Sequence, residues 1–317
     1  MEQIAVHSNY AHPADVLGFL AEAQTDEACA LVVVTETEGG GTRAPGALMA
    51  VTRSGKTAGY VSNGCVDAAV VLNAQQAIAR NEATQIRYGK DSPFLDIKLP
   101  CGGRLDLLII PNPDSKIISE AAKNLNQRRP ISLRFSVAGT VDLTEGTHAQ
   151  TERHEDNFIA QYVPKLKLRV VGRGTEPLAL VRLALASDME VWLQSPDDAL
   201  VAHAAAIGAK ADLIQLGQNL NAGDDPWTGC VLMFHDHDWE TDILAEALKS
   251  DAFYIGAVGS QKTHDIRSKT LRARGVSELD IQRIKAPIGL IPSTRDASML
   301  AISTLADVAA AFHEAVR

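Results

Sequence analysis

Val170-Val171-Gly172-Arg173-Gly174-Thr175-Glu176-Pro177 decides how the second half of this chain folds. A strand expected over Lys167–Val171 leads into two glycines, and a helical pattern over Glu176–Ser187 follows. That is where a dinucleotide fingerprint, G-x-G-x-x-G, stands between a strand and a helix. Its first two glycines permit a tight turn and close approach of a phosphate to the helix N-terminus. The third position is Pro177, tolerated in a first helical turn but without the smallness that packs helix against strand. The acidic residue that holds a ribose belongs at the end of the next strand, about 20 residues on. There the chain reads Leu193-Gln194-Ser195-Pro196, and Asp197 and Asp198 come late enough to start a helix instead. Glu176 inside the loop also opposes an anion. The residues therefore predict a Rossmann-like fold and argue against NAD(P) as its ligand.

The same rhythm runs outward to the C-terminus. Strands are expected at Glu190–Gln194, Cys230–Phe234 and Phe253–Ile255, with helices at Asp197–Ile207, Glu240–Lys249 and Gln261–Arg274. Alternation of this kind implies βαβ crossovers and a parallel sheet. A last helix starts near Ser293-Thr294-Arg295-Asp296, with Met299, Ile302, Ala306, Ala309 and Phe312 as its expected core stripe. Towards the N-terminus the pattern changes. Residues Asp15–Ala23 read as a helix, and Ala30–Thr35, Ala47–Thr52, Thr57–Val61 and Arg104–Ile110 as strands. A helix is expected over Val66–Arg80. The first half is thus a mixed α/β domain over residues 1–145. Polar residues 146–164 are expected to link it to a Rossmann-like domain over 165–317.

The 317 residues carry 30 Lys and Arg against 39 Asp and Glu, a net charge of −9. An acidic balance argues against nucleic acid, where basic surface supplies most of the affinity. No apolar run is long enough to span a bilayer, and no basic flank precedes the first apolar segment, so the expected location is the cytoplasm. Four cysteines, Cys29, Cys65, Cys101 and Cys230, make no disulfide scaffold and no C-x-x-C pair.

Several constellations carry chemistry. Ser62-Asn63-Gly64-Cys65-Val66-Asp67 puts a thiol at a turn entering a helix, where the helix N-terminus favours a thiolate; a buried structural cysteine is the plain alternative. Pro100-Cys101-Gly102-Gly103 has the same character, and two such bends in one domain favour one shared pocket. Gly39-Gly40-Gly41-Thr42-Arg43 offers backbone donors and a guanidinium to an anion, or else is a hairpin loop. His235, His237 and Asp242 could chelate a metal as in a hydrolase, or serve to start a helix. Gly259 and Ser260, with Lys262, lead into a helix bearing Arg267, Arg272 and Arg274; they suit phosphate, or a plain N-cap with a solvated basic face.

Taken in order, these segments resemble the XdhC/CoxI family, accessory factors that mature xanthine dehydrogenase-type molybdoenzymes. Gly41 and Arg43, Pro45-Gly46-Ala47 with Met49, Ser62-Asn63-Gly64-Cys65-Val66-Asp67 and Cys101-Gly102-Gly103 are similar to its N-terminal motifs. Gly172, Gly174, His235-Asp236, Tyr254-Ile255-Gly256, Gly259-Ser260 and Pro287-Ile288-Gly289-Leu290 follow those of its second domain. The resemblance implies a chaperone, without turnover of its own, that binds molybdenum cofactor as molybdopterin or its cytosine dinucleotide. It implies protection of the cofactor during sulfuration, with a cysteine desulfurase as transient sulfurtransferase partner. Delivery to an apo-molybdoenzyme large subunit follows, and self-association is compatible with it. The implied contacts are Arg43, Asn63, Gly64, Cys65, Cys101, Gly102, Gly103, Gly172, Gly174, Gly259 and Ser260, with Cys65 and Cys101 nearest the metal. Asn63 stands where the family has glycine and Asp67 where it has glutamate. Ser195 with Asp197, and Ile291-Pro292-Ser293, depart from its second-domain pattern. These departures suit a branch that serves an aldehyde oxidoreductase. The rivals are an NAD(P)-dependent oxidoreductase built on Gly172–Pro177 and the metal-dependent hydrolase.

Overall fold

A computed structural model describes residues 12–39, 43–62, 64–92, 102–144, 152–218, 220, 223–234 and 237–316, with only the backbone of His237. The chain divides into two compact units, Met1–Pro164 and Lys165–Arg317.

The first unit begins with α1 (Pro13–Ala23), β1 (Cys29–Glu38), β2 (Leu48–Thr52) and β3 (Thr57–Gly59). It continues through α2 (Asp67–Arg80), β4 (Thr84–Gly89), β5 (Arg104–Pro111) and α3 (Ser115–Asn126). It closes with β6 (Ile131–Ser136), β7 (Val141–Leu143), β8 (Glu152–Arg153) and β9 (Asn157–Tyr162). Strands β3-β2-β1-β5-β4 form an antiparallel sheet, and β7-β6-β9-β8 a second one. The unbroken apolar run of β1 follows from burial on both sides. Leu31 and Val33 face a core shared with α1, α3 and the second sheet, while Ala30, Val32 and Val34 face α2. An interior strand needs no polar face, so its sequence does not alternate.

Residues 146–164 do not form the expected link throughout. Strand β9 pairs with β6 along its whole length, and Phe158, Ala160 and Tyr162 are buried in the first unit's core. Alternation of buried and half-buried residues in Asn157–Tyr162 supplies that apolar face.

The second unit runs β10 (Lys167–Gly172), α4 (Thr175–Ala186), β11 (Glu190–Ser195), α5 (Asp198–Ala206) and β12 (Lys210–Leu213). Then come β13 (Thr228–Met233), α6 (His237–Ala247), β14 (Tyr254–Ala257), α7 (Gln261–Ala273), α8 (Glu278–Gln282), β15 (Ile284–Lys285) and α9 (Ala297–Ala315). Its sheet has the order β12-β11-β10-β13-β14-β15, every neighbouring pair parallel. This doubly wound order reverses between β10 and β13, the place where such sheets open a crevice at their carboxyl ends.

The expected core stripe of α9 lies on the wrong side. Met299 and Ile302 are 44% and 48% exposed, and Ala306 and Ala309 are exposed as well. The helix instead buries Ala301, Ser303, Thr304, Asp307 and Val308, while Phe312 packs against the core. Asp307 and Ser303 on that inner face find partners there. Tyr254 Oη donates to Asp307 Oδ2 at 2.8 Å, and the Ile291 amide donates to Ser303 Oγ at 2.7 Å. Among the described residues, no helix is long and apolar enough to cross a membrane.

Candidate functional site

Antiparallel pairing brings the first unit's glycine loops to one end of its sheet. Glu38 at the end of β1 pairs with Arg104 at the start of β5, and Met49 near the start of β2 with Gly59 at the end of β3. The chain leaving β1, the chain leaving β3 and the chain entering β5 therefore share an edge. Gly39 sits at φ +76°, and a Cβ built on it would lie 3.2 Å from Gly103 Cα, so these two loops touch backbone to backbone. The Gly103 carbonyl accepts from the Lys90 amide at 3.0 Å. Ion pairs brace the strand ends below, with Arg104 bound to Glu36 and Arg87 held bidentate by Asp106 at 2.8 and 2.9 Å.

The segment after β3 is ordered by one carboxylate. Asp67, the first residue of α2, accepts at Oδ1 from the amides of Val61 and Ser62, both at 3.0 Å, and at Oδ2 from Gly64. Ser62 Oγ accepts from the Val66 amide at 2.8 Å. Val61 and Ser62 are buried, whereas Gly64, at φ +98°, and Cys65 are exposed. The bend thus presents Cys65 to solvent beside the start of a helix whose N-cap, Val66, offers no side-chain cap. Arg43 returns to the same edge, its guanidinium 4.6 Å from the centre of the Tyr60 ring. Tyr162 Oη donates to the Gly46 carbonyl at 2.9 Å and pins the end of that loop.

The other thiols differ from Cys65. Cys29 and Cys230 are buried, and burial pushes each up to about 11, so neither is a thiolate near neutral pH. Cys101 and Asn63 lie outside the described residues, so the expected pairing of Cys65 with Cys101 in one pocket has no geometry here; Gly102 and Gly103 lead from Cys101 into β5. Tyr60 and Asp67 carry the architecture of this edge. Sequence reading missed them as a pair because only folding sets Tyr60 against Arg43 and the Asp67 carboxylate beneath three amides.

In the second unit, Gly172 ends β10 at the sheet's reversal. A Cβ there would meet the Met233 carbonyl oxygen at 2.5 Å, so glycine is required for β10 to pass β13. Gly174 adopts φ +89°, ψ −156°, open to glycine alone, and precedes a helix without a side-chain cap. Pro177 is buried in the first turn of that helix. Ser195 is fully buried with its Oγ accepting from the Asp197 amide, and Asp197 caps α5 through the amides of Ala199 and Leu200. The glycines thus serve the fold's turn, while the strand end that should hold a ribose is occupied by a capping interaction.

Gly259 and Ser260 lie two strands over from β10, just past the end of β14. Ser260 Oγ caps α7 by accepting from the Thr263 amide, and the Thr263 methyl fills the space beside Gly259. Arg267 belongs neither to a solvated face nor to an exposed anion site. It is 2% exposed, paired with Glu240 at 2.8 and 3.2 Å, and donates to the Val258 carbonyl at 2.8 Å. Arg272 pairs with Glu278 and Arg274 with Asp242. Asp242 is therefore held by an arginine, while His235 and the His237 side chain lie outside the described residues. Among the described residues, no group of three or more His, Cys, Asp or Glu is arranged to hold a metal ion.

Comparison with known proteins finds matches in both halves of the chain. Residues 23–89 match the XdhC and CoxI family, and residues 168–308 match the XdhC Rossmann domain. The molybdenum cofactor insertion chaperone PaoD of Escherichia coli (strain K12) is 32% identical over 296 residues, covering 93% of this chain and 87% of its own. A crystal structure described as a xanthine dehydrogenase from Bacillus halodurans superposes with a TM-score of 0.76 over 96% of each chain. At 19% identity, that likeness is one of fold.

Proposed function

The chain belongs to the XdhC and CoxI family, and from that premise we propose that it carries molybdenum cofactor as cargo to a molybdoenzyme without turning over a substrate itself. The observation that carries this reading is the gathering of Arg43, Tyr60 and exposed Cys65 at one sheet edge, beside the touching glycines Gly39 and Gly103. The cargo is an anionic pterin dithiolene whose metal takes soft ligands. A guanidinium stacked on an aromatic ring presents its edge to phosphate. A solvent-facing thiol offers sulfur to a soft metal. Side-chain-free backbone at Gly39, Gly64 and Gly103 leaves room for a flat heterocycle to approach.

In the finer reading, the chaperone shelters the cofactor while a cysteine desulfurase sulfurates the metal. It then yields the cofactor to the large subunit of a xanthine dehydrogenase or aldehyde oxidoreductase. Delivery requires the apo-enzyme to bind the loaded cofactor more tightly than this chain does. The cytosine dinucleotide form suits the branch that the second-unit departures suggest. Gly102 and Gly103 with Cys101, and Asn63 with Gly64, complete the proposed first-unit contacts; Gly172, Gly174, Gly259 and Ser260 are those of the second.

The test is to purify the chain from cells that make the cofactor and measure released pterin and molybdenum per protein. Cys65→Ala, Arg43→Ala and Tyr60→Leu are each expected to lower retention several-fold with the fold intact. Unchanged loading in all three would remove this edge from the site. Saturable binding of NADPH at micromolar concentration, with no pterin retained, would move the reading to hydride transfer.

A further inference from the structure

Ala44-Pro45-Gly46-Ala47 is a four-residue turn in which the Ala47 amide donates to the Ala44 carbonyl at 3.1 Å. Proline at its second position and Gly46, at φ +94°, at its third make it a type II turn. Arg43 is the residue that enters it. Ala44 and Pro45 are exposed and Gly46 is buried, so the turn stands on its glycine. The Gly46 amide donates to the Val34 carbonyl at 2.8 Å, and the Val34 amide to the Ala47 carbonyl at 2.9 Å, which ties the turn to β1. A further tether comes from 116 residues away, where Tyr162 Oη donates to the Gly46 carbonyl at 2.9 Å.

Tyr162 is 5% exposed, in the apolar core it shares with α1 and α3. Phe135 and Phe158 fill the same core with rings that carry no hydroxyl. A phenol adds nothing to such packing and costs free energy there unless its hydroxyl is bonded. Burial also pushes its ionisation well above the ordinary tyrosine range, so the group remains a donor at neutral pH. The bond it makes therefore serves the loop. Its acceptor is a buried carbonyl, which without that bond would have to turn towards water. A peptide turned in that way carries with it the chain that enters the turn, and that chain bears Arg43.

We propose that Tyr162 is the positioning residue of Arg43: its hydroxyl, acting through Gly46, holds the guanidinium over the Tyr60 ring, 4.6 Å from its centre. The role rests on the cargo reading above, in which that guanidinium meets a phosphate. It makes the place of the arginine a property of the core rather than of the loop. A cationic contact fixed before its anion arrives loses less side-chain freedom on binding. Asp67 orders the Cys65 bend in a comparable manner, so each side of the edge is set by one polar side chain.

The experiment follows Tyr162→Phe, which keeps the ring, by two readouts on the full chain. The first needs no cargo. A guanidinium over an aromatic face has its Nε proton shielded by the ring, so the Arg43 resonance, identified by its loss in Arg43→Lys, should lie upfield in the parent and move downfield in Tyr60→Leu. Tyr162→Phe should move it most of the way to the Tyr60→Leu position. Tyr88→Phe removes another buried hydroxyl of the same unit, one that accepts from Asn73 Nδ2 at 2.9 Å, and should leave the resonance where the parent has it. The second readout is pterin retained from cofactor-making cells. Tyr162→Phe should lower it about fivefold in the parent, but scarcely at all in an Arg43→Ala background, where nothing is left to position. An unmoved Arg43 resonance in Tyr162→Phe would overturn the proposal. So would equal losses of pterin in the two backgrounds, the mark of a hydroxyl that serves stability alone. A parent that retains no pterin would sink the cargo reading, and the resonance would still decide whether Tyr162 holds Arg43.

Discussion

Replacing Asp67 with alanine should release the bend that displays Cys65. The carboxylate accepts from three amides, of which Val61 and Ser62 are buried and Gly64 is exposed. Water can replace the bond to Gly64 at small cost. The two buried amides have no such substitute, and each stranded donor costs about 1–3 kcal/mol. Loss of a negative charge at the start of α2 adds about 0.5 kcal/mol. With each stranded donor near the low end of that range, the expected loss is about 3 kcal/mol, equivalent to a local opening about 100-fold more frequent and a melting point for this unit lower by about 9 °C. Asp67→Asn keeps one acceptor for Val61 and Ser62 but turns a donor towards Gly64, so its cost should be about 1 kcal/mol. Amide hydrogen exchange resolves these outcomes at Val61 and Ser62. All three tryptophans, Trp192, Trp227 and Trp239, lie in the second unit, so fluorescence there serves as the internal control. Unchanged exchange at both amides in Asp67→Ala would mean that the carboxylate does not hold the bend.

Three further outcomes follow from the packing. Gly172→Ala drives a methyl into the Met233 carbonyl and should cost the second unit about 2–3 kcal/mol, read by tryptophan fluorescence in urea; a parental midpoint would contradict the close crossing. Asp224→Asn strands Arg169, whose side chain is fully buried 2.8 Å from the carboxylate, and should cost about 3–5 kcal/mol. Combining Arg169→Met with Asp224→Leu, which replaces the buried ion pair by an apolar one, should recover most of that loss in the same assay; a double variant no more stable than Asp224→Asn would contradict the assignment. Iodoacetamide should label Cys65 in the native protein while Cys29 and Cys230, buried and pushed up to about 11, react only after unfolding; early labelling of either by peptide mapping would show that its core opens.

The second unit was the more legible half. Its strands are short apolar runs separated by helical patterns long enough for crossovers, and parallel order follows from that spacing alone. The face of α9 was not legible. Ser303, Thr304 and Asp307 read as outward residues until Tyr254 and the loop at Gly289–Ile291 are seen to hydrogen-bond Ser303 and Asp307 from inside. In the first unit, α3 carries its own signal, with Ile118, Ala121, Ala122 and Leu125 at helical spacing on its buried face, whereas the short strands β4 and β6 are defined by their pairing with β5 and β9. Cys65 was readable as a thiol at a helix entrance, and its exposure chose between two open alternatives. The stacking of Arg43 on Tyr60 was not readable, since the residues are separated by two strands and meet through antiparallel register.

The backbone contact between Gly39 and Gly103 has an evolutionary corollary. With 3.2 Å from a would-be methyl to the opposing α-carbon, Gly39 could be enlarged only if the approach of Gly103 gave way by a few tenths of an ångström, and its φ of +76° strains any side chain besides. No exchange at Gly103 offsets that, since glycine is already the smallest residue, so a library randomising both positions together should return glycine at 39 as consistently as one randomising that site alone.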